Sequence, residues 1–309
     1  MHDQRLTHAA ADLPKQATPT AAFLAMLLAN VALAFGPTLV RMAQVSPIGS
    51  GFWRLALAAP VLLLLTMATR QPIPRMPRKL WVWLLVGGIF FAADLAAWHI
   101  GIVHTKLANA ALFANLTTFT FAAYGLIIAR SLPTRSQIVA LAMAAIGTIV
   151  LIGRSYQLSP QYLIGDLLCI TAGLFYTGYL VAIEKVRGVL APLPALAIST
   201  LTGLVPLWLF AWSAGQEIWP RTWGPLMLLA LGSQVIGQGL LVYAVGRLPP
   251  LVVGMGFLIQ PLMGAVLGST LYGEQLGLAD MIGGAAVAAA LVLARRSSPA
   301  PLANRSAKD

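Results

Sequence analysis

The chain has 309 residues, of which 59% are apolar and only 9% are charged, and its net charge is +11. Soluble domains carry about 25% charged residues, so this composition excludes a soluble globular protein and favours an integral membrane protein. A strong positive charge is also found in nucleic-acid-binding proteins, but the spread of the cations over many short loops excludes that class here.

Ten apolar segments run along the chain, and their lengths approach the roughly 20 residues of a membrane-spanning helix. In lipid the backbone must satisfy its own hydrogen bonds, so these segments are predicted to be helices. The predicted spans are Ala21–Met42, Ser50–Thr69, Leu80–Val103, Leu107–Ala129, Gln137–Gly153, Ile164–Ile183, Leu193–Ser213, Trp223–Val245, Leu251–Leu271 and Ala279–Ala294. The sequence therefore predicts an all-α integral membrane protein with ten transmembrane helices.

Ten spans place both termini on one side, and the positive-inside rule indicates which side that is. Cations on the terminal side include Arg70, Arg75, Arg78, Lys79, Arg130, Arg135, Lys185, Arg187 and Arg247, together with those of both tails. The opposite loops carry only Arg41, Lys106, Arg154 and Arg221. We expect a multi-pass protein of the cell (inner) membrane with both termini in the cytoplasm.

A unit of five spans occurs twice. Gly87, Trp98, Gly101 and Asn115 in the first unit correspond to Gly232, Tyr243, Gly246 and Gln260 in the second. Because five is odd, the second unit is inverted relative to the first, which is a common design of secondary transporters. The predicted organisation is a tail at 1–18, repeat 1 at 19–154, repeat 2 at 155–296 and a tail at 297–309.

The motifs resemble the drug/metabolite transporter superfamily in its ten-helix form with two EamA-type repeats. They are Phe52-Trp53-Arg54, Phe257-Leu258-Ile259-Gln260-Pro261-Leu262, Glu274-Gln275-Leu276-Gly277 and Gly283-Gly284. Repeat 1 departs from the pattern, since Leu116 stands where repeat 2 has Pro261 and no acidic residue corresponds to Glu274. Within the superfamily the chain looks most like bacterial exporters of aromatic and other amino acids, and this resemblance implies export.

Arg54 and Asp94 are the clearest charges inside the predicted spans, where an ionisable residue is a candidate functional group. Counted from Arg70 and Lys79, both lie in the half of the bilayer away from the termini. We expect a structural Arg54–Asp94 ion pair between the second and third helices. The alternatives are that Asp94 binds a substrate ammonium group or takes part in proton coupling.

Trp98 and Tyr243 are repeat-related aromatics, either two walls of a central cavity or members of the interfacial aromatic belt. Buried amides are a second group of candidates, because an amide inside a membrane must find hydrogen-bond partners or a ligand. The candidate cavity residues are Asn30, Asp94, Trp98, His99, Asn115, Tyr176, Tyr179, Gln234, Gln238, Tyr243 and Gln260. His99 is either a packing residue or a proton relay.

The sequence lacks the motifs that several other functional classes require. The sequence has no G-x-x-x-x-G-K-[ST] loop for ATP and no H-E-x-x-H pair, and its single cysteine, Cys169, offers no disulfide or cysteine-based metal site. We therefore expect no catalytic residues, no metal and no cofactor, and hence no enzyme. A membrane enzyme, a lipid-flipping protein and a passive pore are the remaining alternatives of other classes.

The leading hypothesis is a secondary transporter that exports small neutral or zwitterionic metabolites by alternating access, with amino acids as the foremost substrates. A carrier of phosphorylated solutes needs several cations in its cavity, whereas Arg54 is the cation deep within a predicted span and Arg41 stands at the end of the first one. The runner-up is an exporter of amphipathic drugs or other metabolites. The expected partners are the small-molecule substrate and the lipid bilayer, and a monomer is sufficient.

Overall fold

The computed structural model describes residues 19–71, 73–106, 109–110, 113, 115–153, 159–272 and 277–297. Within these ranges all regular secondary structure is helical. Several sequence predictions concern residues outside them: both tails apart from Ser297, Arg154, residues 107–108, 111–112 and 114 of the fourth span, and the Glu274-Gln275-Leu276 motif.

Ten membrane helices, α1 to α10, follow one another in the described residues. α1 consists of Pro19–Ala34 and Gly36–Met42; α2 is Pro47–Ala68, α3 Arg78–His104, α4 Leu116–Ala129 and α5 Arg135–Gly153. α6 is Leu163–Arg187, α7 Pro192–Ser213 and α8 Gly224–Val245; α9 consists of Pro250–Gly256 and Ile259–Tyr272, and α10 is Leu278–Ser297. These bounds confirm the predicted spans to within a few residues, except at the start of α4.

Length and hydropathy alone identify seven candidate membrane spans among the described residues, in α1 to α3 and α6 to α9. α4 and most of α5 are shorter apolar helices. α10 has 20 residues, enough to cross a bilayer.

Local sequence chemistry sets several helix ends. α2 begins after Ser46, whose Oγ accepts a hydrogen bond from Gly49 N at 3.1 Å, with Pro47 in the first turn. α4 ends at Arg130, which caps the helix in the left-handed conformation with φ of 48°. α1 is interrupted at Phe35, directly before Gly36-Pro37, and α9 is interrupted at Phe257 and Leu258.

Contacts between helix ends define two faces of the bundle. Arg295 at the end of α10 donates to Thr20 at the start of α1, and Gln71 after α2 accepts from the start of α7; we call this side the terminal face. On the other side, which we call the opposite face, Ser46 before α2 donates to the Glu217 carbonyl after α7. Successive helices therefore cross between these two faces in alternating directions.

The packing of the helices follows the symmetry of the repeat. α2 packs on α7, α4 on α9 and α5 on α10, and these are equivalent helices of the two units. α3 packs on α6, and their equivalents α8 and α1 also pack together. Because equivalent helices run in opposite directions, the two units are related by a pseudo-twofold axis in the membrane plane. The prediction of two inverted five-helix repeats is confirmed.

Glycines allow the closest helix crossings. At the α3–α7 crossing, a Cβ added to Gly88 would lie 2.8 Å from Thr202 Cβ and 2.9 Å from its carbonyl carbon. At the α3–α6 crossing, a Cβ on Gly101 would lie 2.6 Å from Cys169 Sγ. These contacts pack α3 of repeat 1 tightly against repeat 2, so the residues of α3 lie at the boundary between the units.

Candidate functional site

Arg54 lies at the centre of a polar network that joins the two repeats. It is 3% exposed, and its Nε donates to Gln234 Oε1 in α8 at 3.1 Å. Gln234 Nε2 in turn donates to Thr200 Oγ1 in α7 at 3.0 Å. The guanidinium also lies 5.8 Å from the ring centre of Phe91. One helix of repeat 1 thus places a cation against two helices of repeat 2.

The expected Arg54–Asp94 ion pair is not formed in this structure. No nitrogen of Arg54 lies within 4.0 Å of an Asp94 carboxylate oxygen. An ion pair of that length is formed among the described residues by Lys185 and Glu184. The physical reason lies in the packing: the guanidinium donates to Gln234 of α8 and meets α3 at the Phe91 ring, not at the Asp94 carboxylate. Arg54 and Asp94 interact electrostatically over a longer distance.

Asp94 is 9% exposed on α3. Its carboxylate has no hydrogen bond and no ion pair with any residue that the structure describes. A buried carboxylate without such partners is energetically costly, so it is poised to bind a cation or a proton. The electrostatic neighbours of Asp94 include Arg54, Tyr176 and Tyr179.

A π-helical segment, Leu229–Gly237, lies within α8 and holds Gln234. Its wider turns change the direction of side chains, and such segments are frequent at functional sites. Gln234 and Gln238 lie four positions apart and reach different helices. Gln238 Nε2 donates to the Tyr176 hydroxyl in α6 at 2.8 Å. Gln238 Oε1 is buried without a hydrogen-bond partner among the described residues, so it can accept from a ligand.

Aromatic rings surround this network. The Tyr176 ring centre lies 5.6 Å from that of Phe257, 5.7 Å from Tyr179 and 6.4 Å from Phe91. The Tyr179 ring is fully buried and stacks on Phe91 at 4.5 Å. α3, α6 and α9 therefore contribute an aromatic cluster beside the amides and the two charges.

The remaining amides connect helices. Gln260 Nε2 donates to Asn30 Oδ1 at 3.0 Å, and Asn30 Nδ2 donates to the Met26 carbonyl at 2.9 Å. This pair links α1 to α9 beside the interruption of α9. Asn115, the repeat-related residue of Gln260, is buried directly before α4.

Trp98 and Tyr243 lie toward opposite faces and do not form facing walls. Trp98 is half-buried, and a Cβ on Gly36 would lie 3.4 Å from its Cη2 at the break in α1. Tyr243 lies at the terminal face, where the Arg247 guanidinium is 3.9 Å from its ring centre. Trp98 therefore stays a candidate for the cavity, whereas Tyr243 has the position of an interfacial aromatic.

His99 of α3 is fully buried, and its ring packs against the first turn of α2. Its Nδ1 lies 2.7 Å from Ser50 Oγ and 3.1 Å from the Pro47 carbonyl oxygen. These contacts fasten α3 to α2 near the opposite face. The geometry favours the packing interpretation over the proton relay.

Sequence reasoning overlooked a second polar cluster at the opposite face. Asp166 at the start of α6 is 4% exposed and accepts from Thr105 Oγ1 at 2.5 Å and from Asn109 Nδ2 at 3.1 Å. The signal was available, because Asp166 is an acidic residue inside the predicted sixth span. No group of three His, Cys, Asp or Glu side chains that could hold a metal occurs among the described residues.

An all-helical bundle of two inverted repeats, with a buried polar network at their boundary, defines a multi-pass membrane protein of the transporter type. Comparison with family models makes the assignment specific. Residues 20–153 and 163–296 each match the model of the EamA-like transporter family. The chain belongs to this family, within the drug/metabolite transporter superfamily, and is therefore a membrane transporter of small substrates.

Solved structures show the same fold. A crystal structure titled only "Crystal structure of protein" superposes with a TM-score of 0.71 at 19% sequence identity. The match covers 90% of this chain and 97% of the other. No curated protein matches the chain.

Proposed function

We propose that the protein is a secondary transporter that exports small neutral or zwitterionic metabolites, with amino acids as the foremost substrates. The observation that carries this proposal is that Arg54 and Asp94 are both buried near the boundary of the repeats without pairing directly. A zwitterion offers one carboxylate and one ammonium group, so it can complement both charges at once.

The two charges differ in how they are held. Arg54 is anchored by Gln234, which leaves its Nη1 and Nη2 groups without hydrogen bonds to the described residues. Asp94 has no such anchor and is open to an ammonium group. Electrostatic complementarity of this kind selects a solute with separated charges over an anion or a cation.

The amide and aromatic groups fit the rest of an amino acid. Gln238 Oε1 is an unpartnered acceptor for an ammonium or hydroxyl group. The Tyr176, Phe91 and Phe257 rings offer apolar surface to a side chain. The same rings favour the alternative substrate class of amphipathic drugs, which would use the aromatic cluster without needing both charges.

Alternating access is the mechanism that the repeat supports. The network joins α2 of repeat 1 to α7 and α8 of repeat 2, so rocking of one repeat against the other would remodel it. The interruptions of α1 at Phe35 and of α9 at Phe257 and Leu258 provide places where helices can bend.

The proposed location is the inner membrane, with the terminal face toward the cytoplasm. Arg70, Arg130, Arg187, Arg247 and Arg295 lie at the terminal face, against Arg41, Lys106 and Arg221 at the opposite face. In this orientation export moves the solute toward the opposite face.

The direct test is uptake into liposomes that contain the purified protein, with a panel of labelled amino acids. Saturable uptake that an excess of the same unlabelled amino acid suppresses is the expected result. A cationic analogue without the carboxylate, L-phenylalaninamide, should compete less well than L-phenylalanine, because it leaves Arg54 uncompensated.

Uptake that never saturates would indicate a pore, and no movement of any amino acid would overturn the proposed substrate class. Stronger competition by apolar cations than by amino acids would favour the drug-exporter alternative. Liposomes without protein serve as the control for leakage.

A further inference from the structure

Arg41 lies in the last turn of α1 at the opposite face. Its Nη2 donates to the Ile102 carbonyl at 2.8 Å and to the Thr105 carbonyl at 3.0 Å, at the end of α3. The carbonyls at a helix C-terminus carry partial negative charge, so they orient the guanidinium. Nε and Nη1 of Arg41 have no hydrogen bond to the described residues and are free to bind another group.

Arg187 is the equivalent arginine of repeat 2, in the last turn of α6 at the terminal face. Its Nε donates to the Val242 carbonyl of α8 at 2.9 Å, and its Nη1 donates to the Leu190 carbonyl. Each repeat thus uses an arginine at the end of its first helix to bind a carbonyl near the end of its third helix. The second carbonyl differs, because Arg41 binds Thr105 at the end of α3, whereas Arg187 binds Leu190 just after its own helix.

The surroundings of the two arginines differ. Arg187 is half-buried and packs closely on Gly246, where an added Cβ would lie 2.7 Å from its Nη2. This packing leaves no room for a solute between the guanidinium and Gly246. Arg41 is exposed and borders a pocket of about 590 Å³. The lining of this pocket is Val40, Arg41, Ala43, Val45, Pro47, Val103 and Thr105. Arg41 is the charged member of this lining, and Arg41 makes no ion pair with a carboxylate of the described residues.

A fixed cation with free N–H groups in an otherwise largely apolar pocket favours a small organic anion, and a guanidinium matches the geometry of a carboxylate. We propose that the Arg41 pocket is a carboxylate-binding subsite at the opposite face, where the solute binds between the Arg54 network and bulk water. This inference rests on the proposed function. It adds a second site on the pathway and names the group that the site recognises.

Asp166 is a positioning residue for this subsite. It accepts the hydroxyl of Thr105, and the carbonyl of Thr105 holds Arg41. The Asp166 carboxylate also accepts from Asn109, so its hydrogen bonds are satisfied within the cluster. The cluster therefore fixes the place of the guanidinium from α6.

The test is protection of Arg41 from an arginine-modifying reagent, phenylglyoxal, measured residue by residue by mass spectrometry on the full chain in detergent. The probes are 3-phenylpropionate, which has a carboxylate, and L-phenylalaninamide, which has none. At a probe concentration near ten times its dissociation constant, 3-phenylpropionate should slow modification of Arg41 about tenfold. L-phenylalaninamide should not protect it, and Arg135, an exposed arginine at the start of α5 on the terminal face, serves as the matched control.

A second readout uses uptake in liposomes. Arg41→Gln should raise the KM for L-phenylalanine about tenfold and change that for L-phenylalaninamide little, because one charge-assisted contact is lost. Val103→Glu, which adds an anion to the pocket wall without touching the Arg41 contacts, should act in the same direction. Arg135→Gln, an exposed change at the terminal face, should behave as the wild type.

Equal modification rates of Arg41 with and without 3-phenylpropionate would overturn the subsite even if uptake is saturable. Protection of Arg41 without saturable uptake would leave the subsite and overturn the proposed function instead. An equal rise in KM for L-phenylalanine and L-phenylalaninamide in Arg41→Gln would overturn the subsite and show that Arg41 has only a structural role.

Discussion

At the scale of the residue, the main result is the environment of Arg54. Its position in a span could be predicted from the sequence, but its partner could not, because Gln234 lies 180 positions away in the other repeat. The sequence offered Asp94 as the nearest opposite charge. Only the packing of α2 against α7 and α8 decides that the guanidinium meets an amide and leaves the carboxylate unpaired.

Gln234→Ala should lower the free energy of unfolding by about 1–2 kcal/mol, because Arg54 then stays buried without its hydrogen bond. Chemical denaturation of the purified protein in detergent measures this change. The exposed Gln161 provides the matched control, since Gln161→Ala removes the same groups from the surface.

Asp94→Asn distinguishes the Arg54–Gln234 hydrogen bond from a direct Arg54–Asp94 ion pair as the contact that holds Arg54. It should destabilise the protein less than Gln234→Ala, because no contact partner of Asp94 is lost. A larger loss of unfolding free energy in Asp94→Asn than in Gln234→Ala would instead support the ion pair that the sequence predicted.

At the scale of the element, the length of the apolar segments was sufficient to predict the helices to within a few residues, except at the start of α4. That length could not predict the π segment of α8 or the contacts at helix crossings. Leu229–Gly237 reads as an ordinary apolar helix, and its wider turn redirects Gln234. The sequence alone could not decide between a cavity wall and the membrane interface for Tyr243, because aromatic residues occur in both places. In the structure its ring contacts Arg247 at the terminal face, which favours the interface.

The α3–α7 crossing gives a prediction at this scale. Gly88→Ala should lower the melting temperature of the purified protein, because the added methyl group would overlap Thr202 and its backbone. Gly264→Ala is the matched control within a membrane helix, because nothing lies within 4 Å of a Cβ there. In that helix alanine should be neutral or stabilising. An equal melting temperature for Gly88→Ala and the wild type would contradict the close approach of α3 and α7.

At the scale of the whole molecule, the inverted repeat explains the fold, whereas the candidate binding groups depart from its symmetry. Equivalent helices pair across the pseudo-twofold axis, yet the groups that can bind a solute are asymmetric. Arg54, Asp94 and the amides of α8 have no counterparts that form the same network. Arg41 and Arg187 are counterparts, but Arg41 borders a pocket, whereas Arg187 packs closely against Gly246. The proposed function therefore rests on differences between the repeats that the repeat pattern alone cannot reveal.

We propose that the solute binds between the repeats, beside the free acceptor of Gln238. Counterflow of a labelled amino acid in liposomes tests it most directly, with wild type, Gln238→Ala and the control Gln161→Ala at equal protein content. The account predicts that Gln238→Ala lowers the initial rate about tenfold, because a buried hydrogen-bonding group is lost from the site, while Gln161→Ala matches the wild type. A wild-type rate in correctly folded Gln238→Ala would contradict it.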